Sequence, residues 1–286
     1  MDDVLRIALE AEAYDGVAPL DEATRLSLRH RPEQARSWVT QEGFALVVGS
    51  ELSLVVRPDC RGRGVGTELL EQALADVPGG GPSAGADGEL RAWSHGHQPA
   101  AVALAASHGF RAVRELWVMR RPTSLELPGT PSLDERLGDV EVRSFRPGDE
   151  AEIVRVNAAA FAHHPEQGAM TRDGLAERMA EPWFEPEGLI EAWDRSGETP
   201  RLLGFHWTKR HSAESGEVYV VGIDPSAQGR GLGKVLTALG LVHLSDTAEV
   251  HLYVESDNAA AVRLYEGLGF THARADTHVQ YARMRP

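Results

Sequence analysis

Three closely spaced glycines, Gly229, Gly231 and Gly233, follow the apolar run 217–223 and precede the helix-like run 234–244. Glycine permits positive φ and lets a ligand approach the backbone where a Cβ would otherwise stand. A helix that begins after such a loop offers free N–H groups and the positive end of its dipole, and both favour phosphate. The loop therefore predicts a site for a phosphate-bearing ligand, with a purely structural turn as the alternative.

The loop matches neither of the two common phosphate motifs. A dinucleotide fingerprint requires a small residue where Lys234 stands. A P-loop requires glycine where Gln228 stands, and serine or threonine where Val235 stands. The pattern that remains is Gln228-x-x-Gly231-x-Gly233, which does not by itself identify the ligand.

The same pattern occurs twice along the chain. Residues 51–74 contain a strand-like run, a turn proline, an R-x-x-G-x-G loop at 61–66 and a helix-like run. Downstream, residues 90–110 match residues 251–270, because each segment reads as a strand followed by an alanine-rich helix that ends in Gly-Phe. Two matching features in the same order indicate a duplicated domain.

The duplication predicts an α/β chain with a mixed sheet in two tandem domains. We expect the first domain at residues 1–120, a proline- and glycine-containing linker at 121–139, and the second domain at 140–286. The second copy has three strand-like runs before its loop, whereas the first has only residues 43–48 and 51–56. The first domain is therefore expected to be degenerate and short of a strand.

Composition limits the classes of function. The chain has 286 residues, of which 42% are hydrophobic, and a net charge of −14 that opposes nonspecific binding to nucleic acid. The sequence shows no apolar run of about 18 residues, and it starts with an acidic stretch, so we expect no membrane span, no signal peptide and a cytoplasmic location. A single cysteine, Cys60, permits no internal disulfide. The histidine pairs His163–His164 and His95–His97 are interpreted as loop features, and no metal is expected.

The chain contains an ordered set of elements, which are a strand, an [RQ]-x-x-G-x-[GA] loop, a helix, a second strand and the motif N-x-x-A-x-x-x-Y-x-x-x-G-F at 258–270. In the order of these elements the chain resembles the GNAT family of acyl-CoA-dependent N-acetyltransferases. The second copy matches this set throughout, and the likeness extends over most of the chain. The resemblance implies two tandem GNAT-like domains and an acyltransferase. It also implies that the loop amides hold the pyrophosphate of acetyl-CoA.

The resemblance further implies which residues hold acetyl-CoA in the second copy. They are Val221, Gly222, Ile223, Gln228, Gly229, Arg230, Gly231, Leu232, Gly233, Lys234, Asn258, Ala259, Ala260, Ala261, Val262 and Arg263. A second, non-reacting acetyl-CoA would lie in the first copy against Leu54, Val55, Val56, Arg61, Gly62, Arg63, Gly64, Val65 and Gly66.

Acetyl transfer to an amine requires a neutral amine, a positioned carbonyl and a proton for the departing thiolate. By the resemblance, Glu217 is the base and Tyr265 the general acid; the alternatives are a solvent-exposed glutamate and a core tyrosine. Tyr265 lies two helical turns after Asn258, so both face one side of a helix that Asn258 can cap. The first copy has Ser50 and Ala105 at the positions of the base and the acid, so catalysis is assigned to the second copy.

For the acceptor, the resemblance points to the cysteine amine of cysteinyl-glucosaminyl-inositol. The residues expected to bind it are Glu22, Glu166, Lys209, Glu217 and Tyr253, because a polyol and a cationic amine require hydrogen-bonding and acidic groups. Two alternatives remain: an acetyltransferase for another small amine, and a non-catalytic acyl-CoA-binding sensor. We expect a monomer whose partners are these small molecules.

Overall fold

A computed structural model describes residues 2–76, 89–96, 98–128, 139–164 and 167–283. The chain forms two compact units: one comprises Met1–Trp117 with Ala273–Pro286, and the other comprises Val118–His272. Within the described ranges, no helix is both long and apolar enough to cross a membrane.

The helices and strands follow one another in mixed order. Up to residue 122 they are α1 (Asp2–Asp15), α2 (Glu22–His30), β1 (Ala35–Val39), β2 (Gly43–Val48), β3 (Glu51–Val56), α3 (Val65–Asp76), β4 (Leu90–Ser94), α4 (Pro99–Ser107) and β5 (Arg111–Pro122). From residue 140 they are β6 (Val140–Ser144), α5 (Glu150–Ala160), α6 (Arg172–Met179), β7 (Leu189–Asp194), β8 (Arg201–Arg210), β9 (Ser215–Ile223), α7 (Leu232–His243), β10 (Glu249–Glu255), α8 (Ala259–Glu266) and β11 (Thr271–Arg283).

Each unit contains mixed strand pairing. In the first unit the strand order is β1-β2-β3-β4-β11; β3 and β4 are parallel, and the other three pairs are antiparallel. In the second unit the order is β6-β7-β8-β9-β10-β5; β9 and β10 are parallel, and the pairs from β6 to β9 are antiparallel. The predicted α/β class with a mixed sheet is confirmed.

The C-terminal segment packs with the first unit. Residues 273–286 were expected in the second domain, whereas β11 pairs with β4 from Val279–Ser94 to Arg283–Leu90. The hydrogen-bonding edge of β4 therefore determines where this segment lies. Of the predicted linker, residues 129–138 are outside the described residues.

Both copies have one more strand before the loop than the sequence indicated. Within residues 2–56 the first unit has three strands, β1 to β3, and within 139–164 and 167–223 the second unit has four, β6 to β9. The first copy is thus one strand short, as predicted. The missed strands, β1 and β6, are five residues long, and each is the edge strand of its unit. Their short, partly polar sequences show little of the periodic apolar pattern by which strands are predicted.

Apolar side chains cover both faces of the strands that lead to the loops. In the second unit, Phe205 and Trp207 of β8 pack with Ile153 of α5 on one face. Leu203 of β8 packs with Leu236 of α7 on the other face. All five side chains are nearly or fully buried, so β8 gives β9 a rigid neighbour.

One acidic side chain is enclosed in this framework. Glu191 of β7 is fully buried and accepts hydrogen bonds of 2.8 Å from Arg143 Nη1 and from Trp193 Nε1. Burial raises the pKa of the Glu191 carboxyl to about 8, partly opposed by these two donors. Glu191 therefore links the stability of the second unit to pH.

Candidate active site

Strand β9 changes direction at a β-bulge. Its antiparallel pairing with β8 shifts register between Trp207 and Thr208, which leaves Tyr219 as an extra residue on β9. The parallel ladder with β10 spans only four pairs and ends at Val218–Leu252, although both strands continue. Because a bulge bends the strand that carries it, the two strands separate beyond this point. On the β10 side, residues 219–223, which include the three residues predicted to meet the thioester, lie beyond the last pair of this ladder.

The loop after β9 has the conformation that the glycines predicted. Gly229 has φ 76° and Gly231 has φ 85°, values that side-chain-bearing residues rarely adopt. Gly231 is the N-cap residue of α7. Because glycine has no side chain to accept a hydrogen bond, the first N–H groups of α7 receive no side-chain cap from it. Gly233 serves packing instead, because a Cβ there would lie 3.2 Å from Leu264 Cδ1. Leu232 is buried and offers the ligand only its backbone.

The first unit repeats this arrangement. Its parallel ladder between β3 and β4 has two pairs, Glu51–Arg91 and Leu52–Ala92, before the strands separate. Gly62 and Gly64 have φ 74° and 91°. A cavity of about 370 Å³ lies between the separated strands, bounded by the loop, α3 and α4. The size falls within the range of small-molecule sites.

Helix α8 carries the predicted acid and its cap. The Asn258 side-chain oxygen accepts from the Ala261 N–H at 3.1 Å, so the predicted cap is present. Tyr265 occupies the last turn of α8, and its ring meets Phe270 edge-on at 5.9 Å. Burial raises the pKa of the Tyr265 hydroxyl to about 12. The phenol therefore stays protonated at neutral pH, as a proton donor must be.

Three neighbouring strands bring polar residues onto one face. Lys209 of β8 stands directly opposite Glu217 of β9, and His251 of β10 is the register partner of Glu217 on the other side. Tyr253 lies two residues after His251, so it projects from the same face. The fold thus brings together Lys209, Glu217 and Tyr253, three of the residues predicted to bind the acceptor.

Glu217 is buried but surrounded by donors and positive charge. It is 7% exposed, and its Oε2 lies 2.6 Å from His211 Nε2 and 3.9 Å from His251 Nε2. Burial acts to raise the pKa of the carboxyl, but the His211 hydrogen bond and the charges of His251, His211 and Lys209 outweigh it and lower the pKa. Glu217 is therefore ionised at neutral pH and able to accept a proton. The solvated strand-end glutamate that the sequence left open is not what the structure shows.

Lys209 is held beside this carboxylate by aromatic rings. Its Nζ lies 4.3 Å from the centroid of Trp183 and 5.1 Å from that of Tyr219, the bulge residue. The Tyr219 hydroxyl in turn accepts from Arg178 Nε at 3.0 Å. Cation–π contacts of this kind fix an ammonium without neutralising it. The ammonium charge also acts on the Glu217 carboxyl, whose pKa it helps to lower.

His211 and His251 are not among the site residues predicted from the sequence. Together with Glu217 they bring three ligand-capable atoms within 4.8 Å of one another. Two donors bound to a tetrahedral zinc would be about 3.3 Å apart, since each lies about 2.0–2.1 Å from the metal. The separation of 2.6 Å between His211 and Glu217 is instead that of a charge-assisted hydrogen bond. The only available signal was the alternation of Lys209 and His211 at the end of an apolar strand.

The remaining residues predicted from the sequence lie outside the group around Glu217 or outside the described residues. Glu22 is in the first turn of α2, and its part in acceptor binding stays a prediction. Glu166 and His97 are outside the described residues. His164 Nδ1 accepts from the Gln167 N–H at 3.1 Å, a contact within the loop.

The chain matches the Acetyltransferase (GNAT) family over residues 30–110 and 159–270, one match in each copy. It is 58% identical to the mycothiol acetyltransferase of Nocardioides sp., with 98% of this chain and 96% of the relative covered. It is 49% identical to the mycothiol acetyltransferase of Actinosynnema mirum, with coverages of 98% and 95%.

Solved structures share the fold. A GCN5-related N-acetyltransferase from Sphaerobacter thermophilus has a TM-score of 0.70 at 22% identity, with 99% of this chain and 92% of that chain covered. A tandem GNAT protein from the clavulanic acid biosynthesis pathway has a TM-score of 0.65 at 17% identity, with coverages of 98% and 94%. By its family match and its similarity to relatives over nearly the full length, the chain belongs to the GNAT acyltransferases and, among them, to the mycothiol acetyltransferases.

Proposed function

We propose that this protein transfers the acetyl group of acetyl-CoA to the cysteine amine of cysteinyl-glucosaminyl-inositol, which gives mycothiol. The observation that carries the proposal is the buried, ionised Glu217, placed with Lys209 and Tyr253 on one face where β9 and β10 separate. A carboxylate there can take a proton from a cationic amine. The similarity to relatives named mycothiol acetyltransferase supports a role in mycothiol biosynthesis.

The donor binds along the opening between β9 and β10. The N–H groups at the start of α7, free of a side-chain cap, donate hydrogen bonds to the pyrophosphate, and the main chain of Val221–Ile223 meets the thioester. A backbone N–H donor at the carbonyl oxygen stabilises the negative charge that develops during attack. The start of α8, capped by Asn258, lines the other side of the cofactor arm.

Two side chains move the protons of the reaction. Glu217 removes a proton from the ammonium, directly or through a water, and frees the lone pair for attack on the carbonyl carbon. Tyr265 gives its proton to the sulfur as the carbon–sulfur bond breaks, so that CoA leaves as a thiol. Each role matches the protonation state that the surroundings impose on the group at neutral pH.

The acceptor is held by polar groups around the base. Lys209 and Tyr253 hydrogen-bond hydroxyls of the sugar and inositol, and Tyr253 is 44% exposed, as a residue on an open acceptor surface would be. Glu166 joins this set by family likeness. The protein acts as a cytoplasmic monomer and uses no metal.

A second acetyl-CoA binds in the first unit without reacting. The cavity of about 370 Å³ and the repeated loop conformation support it. Ala105, at the position of the acid, leaves that site without the group that protonates the thiolate. At the position of the base, the expectation of Ser50 is wrong: Glu51 aligns with Glu217, because Glu51–Arg91 and Glu217–His251 each precede the last pair of their parallel ladders. Arg61 differs from its counterpart Gln228, since Asp15 holds its guanidinium through two 2.7 Å contacts.

The test measures release of the CoA thiol from acetyl-CoA with cysteinyl-glucosaminyl-inositol as acceptor. Parallel reactions contain an aminoglycoside, a peptide with a free N-terminus, or no acceptor. We expect thiol release only with the cysteinyl pseudodisaccharide. Release with another amine alone would reassign the substrate, and binding of acetyl-CoA without release in any reaction would favour the sensor alternative.

A further inference from the structure

We propose that His211 is a positioning and proton-relay residue, which orients the Glu217 carboxylate and carries the proton taken from the acceptor amine out to solvent. The inference rests on the proposed role of Glu217 as base. It concerns the fate of the proton after Glu217 has accepted it.

The reaction must release one proton per turnover. An ammonium acceptor and acetyl-CoA become a neutral amide and a CoA thiol, so one of the protons from the nitrogen goes to sulfur through Tyr265 and one must leave the site. Glu217 takes the latter, but the residue is only 7% exposed. A carboxyl whose pKa is lowered holds an added proton poorly. A group that connects Glu217 to water is therefore needed.

His211 meets the geometric requirement. Its Nε2 lies 2.6 Å from Glu217 Oε2, while its side chain is 38% exposed. His211 is the first residue of the turn between β8 and β9. Its backbone N–H donates to the Ser215 carbonyl at 3.0 Å, so the hairpin fixes the main chain of His211. Imidazole can accept a proton at one nitrogen and release another from the second, between about pH 5 and 8.

The proton steps balance. With the carboxylate ionised, the imidazole N–H donates to Oε2, because a carboxylate only accepts. After the amine proton arrives on the carboxyl, exchange with water moves the imidazole hydrogen from Nε2 to Nδ1, and the carboxyl O–H then donates to Nε2. Transfer gives an imidazolium, and loss of the Nδ1 proton to water leaves the Nε2–H tautomer bonded to the carboxylate again. That tautomer is again the resting state for the next cycle.

His251 is the other imidazole near the base, and it suits this role less well. Its Nε2 lies 3.9 Å from Glu217 Oε2, and its Nδ1 lies 3.3 Å from Ser215 Oγ. Burial lowers the pKa of His251, so it takes up a proton less readily than an exposed imidazole, and it stacks on His211 with ring centroids 5.3 Å apart. The other groups facing this pair are Lys209 on β8, Tyr253 and Glu249 on β10, and Arg120 on β5, which is paired with Glu249 at 2.8 Å. The exposed His211 is therefore where an added positive charge is best solvated.

The experiment compares three variants in weak buffer at pH 7. His211→Ala removes the relay and leaves space, while His211→Gln retains an N–H donor to Glu217 but cannot carry a proton. His243→Gln is the matched control, because His243 Nε2 contacts Glu185 Oε2 at 3.0 Å at the C-terminal end of α7, away from the cofactor loop. Circular dichroism and acetyl-CoA binding establish that each variant is folded.

We expect both His211 variants to lose about 10-fold in kcat. Their KM values for acetyl-CoA and for the acceptor should stay within about twofold of those of the unaltered enzyme. Added imidazole should restore kcat of His211→Ala and leave His243→Gln unchanged. In a Glu217→Gln background, His211→Ala should cause no additional loss, since the two groups act in series.

Three results would overturn the relay. They are an unchanged kcat in both His211 variants, an effect confined to KM, and a loss in His211→Ala that imidazole does not restore. Failure of the proposed function looks different, because then the unaltered enzyme itself would release no CoA thiol with the cysteinyl pseudodisaccharide.

Discussion

The two glycine loops allow a matched test of which copy performs the chemistry. Gly62 and Gly229 have φ values of 74° and 76°, and a Cβ added to either would meet no atom within 4 Å. Alanine at either position therefore introduces the same backbone strain and no clash. A non-glycine residue in this region costs about 1–2 kcal/mol.

The expected loss of stability is equal for the two variants. A loss of about 1–2 kcal/mol should lower the midpoint of thermal unfolding by roughly 2–4 °C per kcal/mol for a domain of this size. The functional effects should differ. If strain moves the loop amides of the second copy by about 1 Å, the misplaced thioester can reduce the rate by about 100-fold.

The assay is CoA thiol release at varied acetyl-CoA, with unfolding followed by circular dichroism. For Gly229→Ala we expect kcat/KM for acetyl-CoA to fall by about 10- to 100-fold, and for Gly62→Ala to stay within about twofold of the unaltered enzyme. An equal fall in both variants would refute the assignment of catalysis to the second copy. An unaltered kcat/KM in Gly229→Ala would refute the phosphate-binding role of its loop.

Three further changes probe single groups. Tyr265→Phe should lower kcat by about 100-fold or more, because the proton donor is lost. The affinity for acetyl-CoA, measured by calorimetry, should not change. An unchanged kcat would make Tyr265 a packing residue. Glu217→Gln should reduce turnover more at pH 7 than at pH 9, where more of the amine is already neutral; a loss of equal size at both pH values would indicate a binding role. The pKa of Glu191 rises from 4.5 to about 8 on folding. Between these pH values the folded state binds more protons than the unfolded state, so the free energy of unfolding should fall as pH rises through that interval. Urea unfolding at pH 5.5 and 8 should show this fall, and Glu191→Gln should remove it; an unchanged pH dependence in that variant would contradict the assignment.

Much of the fold could be predicted from local sequence. The glycines with positive φ, the helix after each loop and the Asn258 cap depend on interactions within a few residues, which the residue types determine. The duplication was also evident, because it is a property of the order of residues. The missing strand of the first copy followed from comparing the two halves.

The tertiary structure decided what depends on pairing between distant segments. The short strands β1 and β6 form because a neighbouring strand offers them hydrogen bonds, and β11 packs with the first unit because β4 has a free edge for it. The bulge at Tyr219 is likewise a property of the β8–β9 register, and the sequence of β9 alone contains no sign of it.

The chemistry around Glu217 shows the same division. The sequence by itself indicated a glutamate at the start of a strand next to the glycine loop, and family likeness suggested its role. Its burial, its lowered pKa and its contact with His211 arise only when β8, β9 and β10 align Lys209, Glu217 and His251 in neighbouring registers. Proton transfer depends on distances of a few ångströms between residues that are far apart in the chain, and only the folded sheet sets those distances.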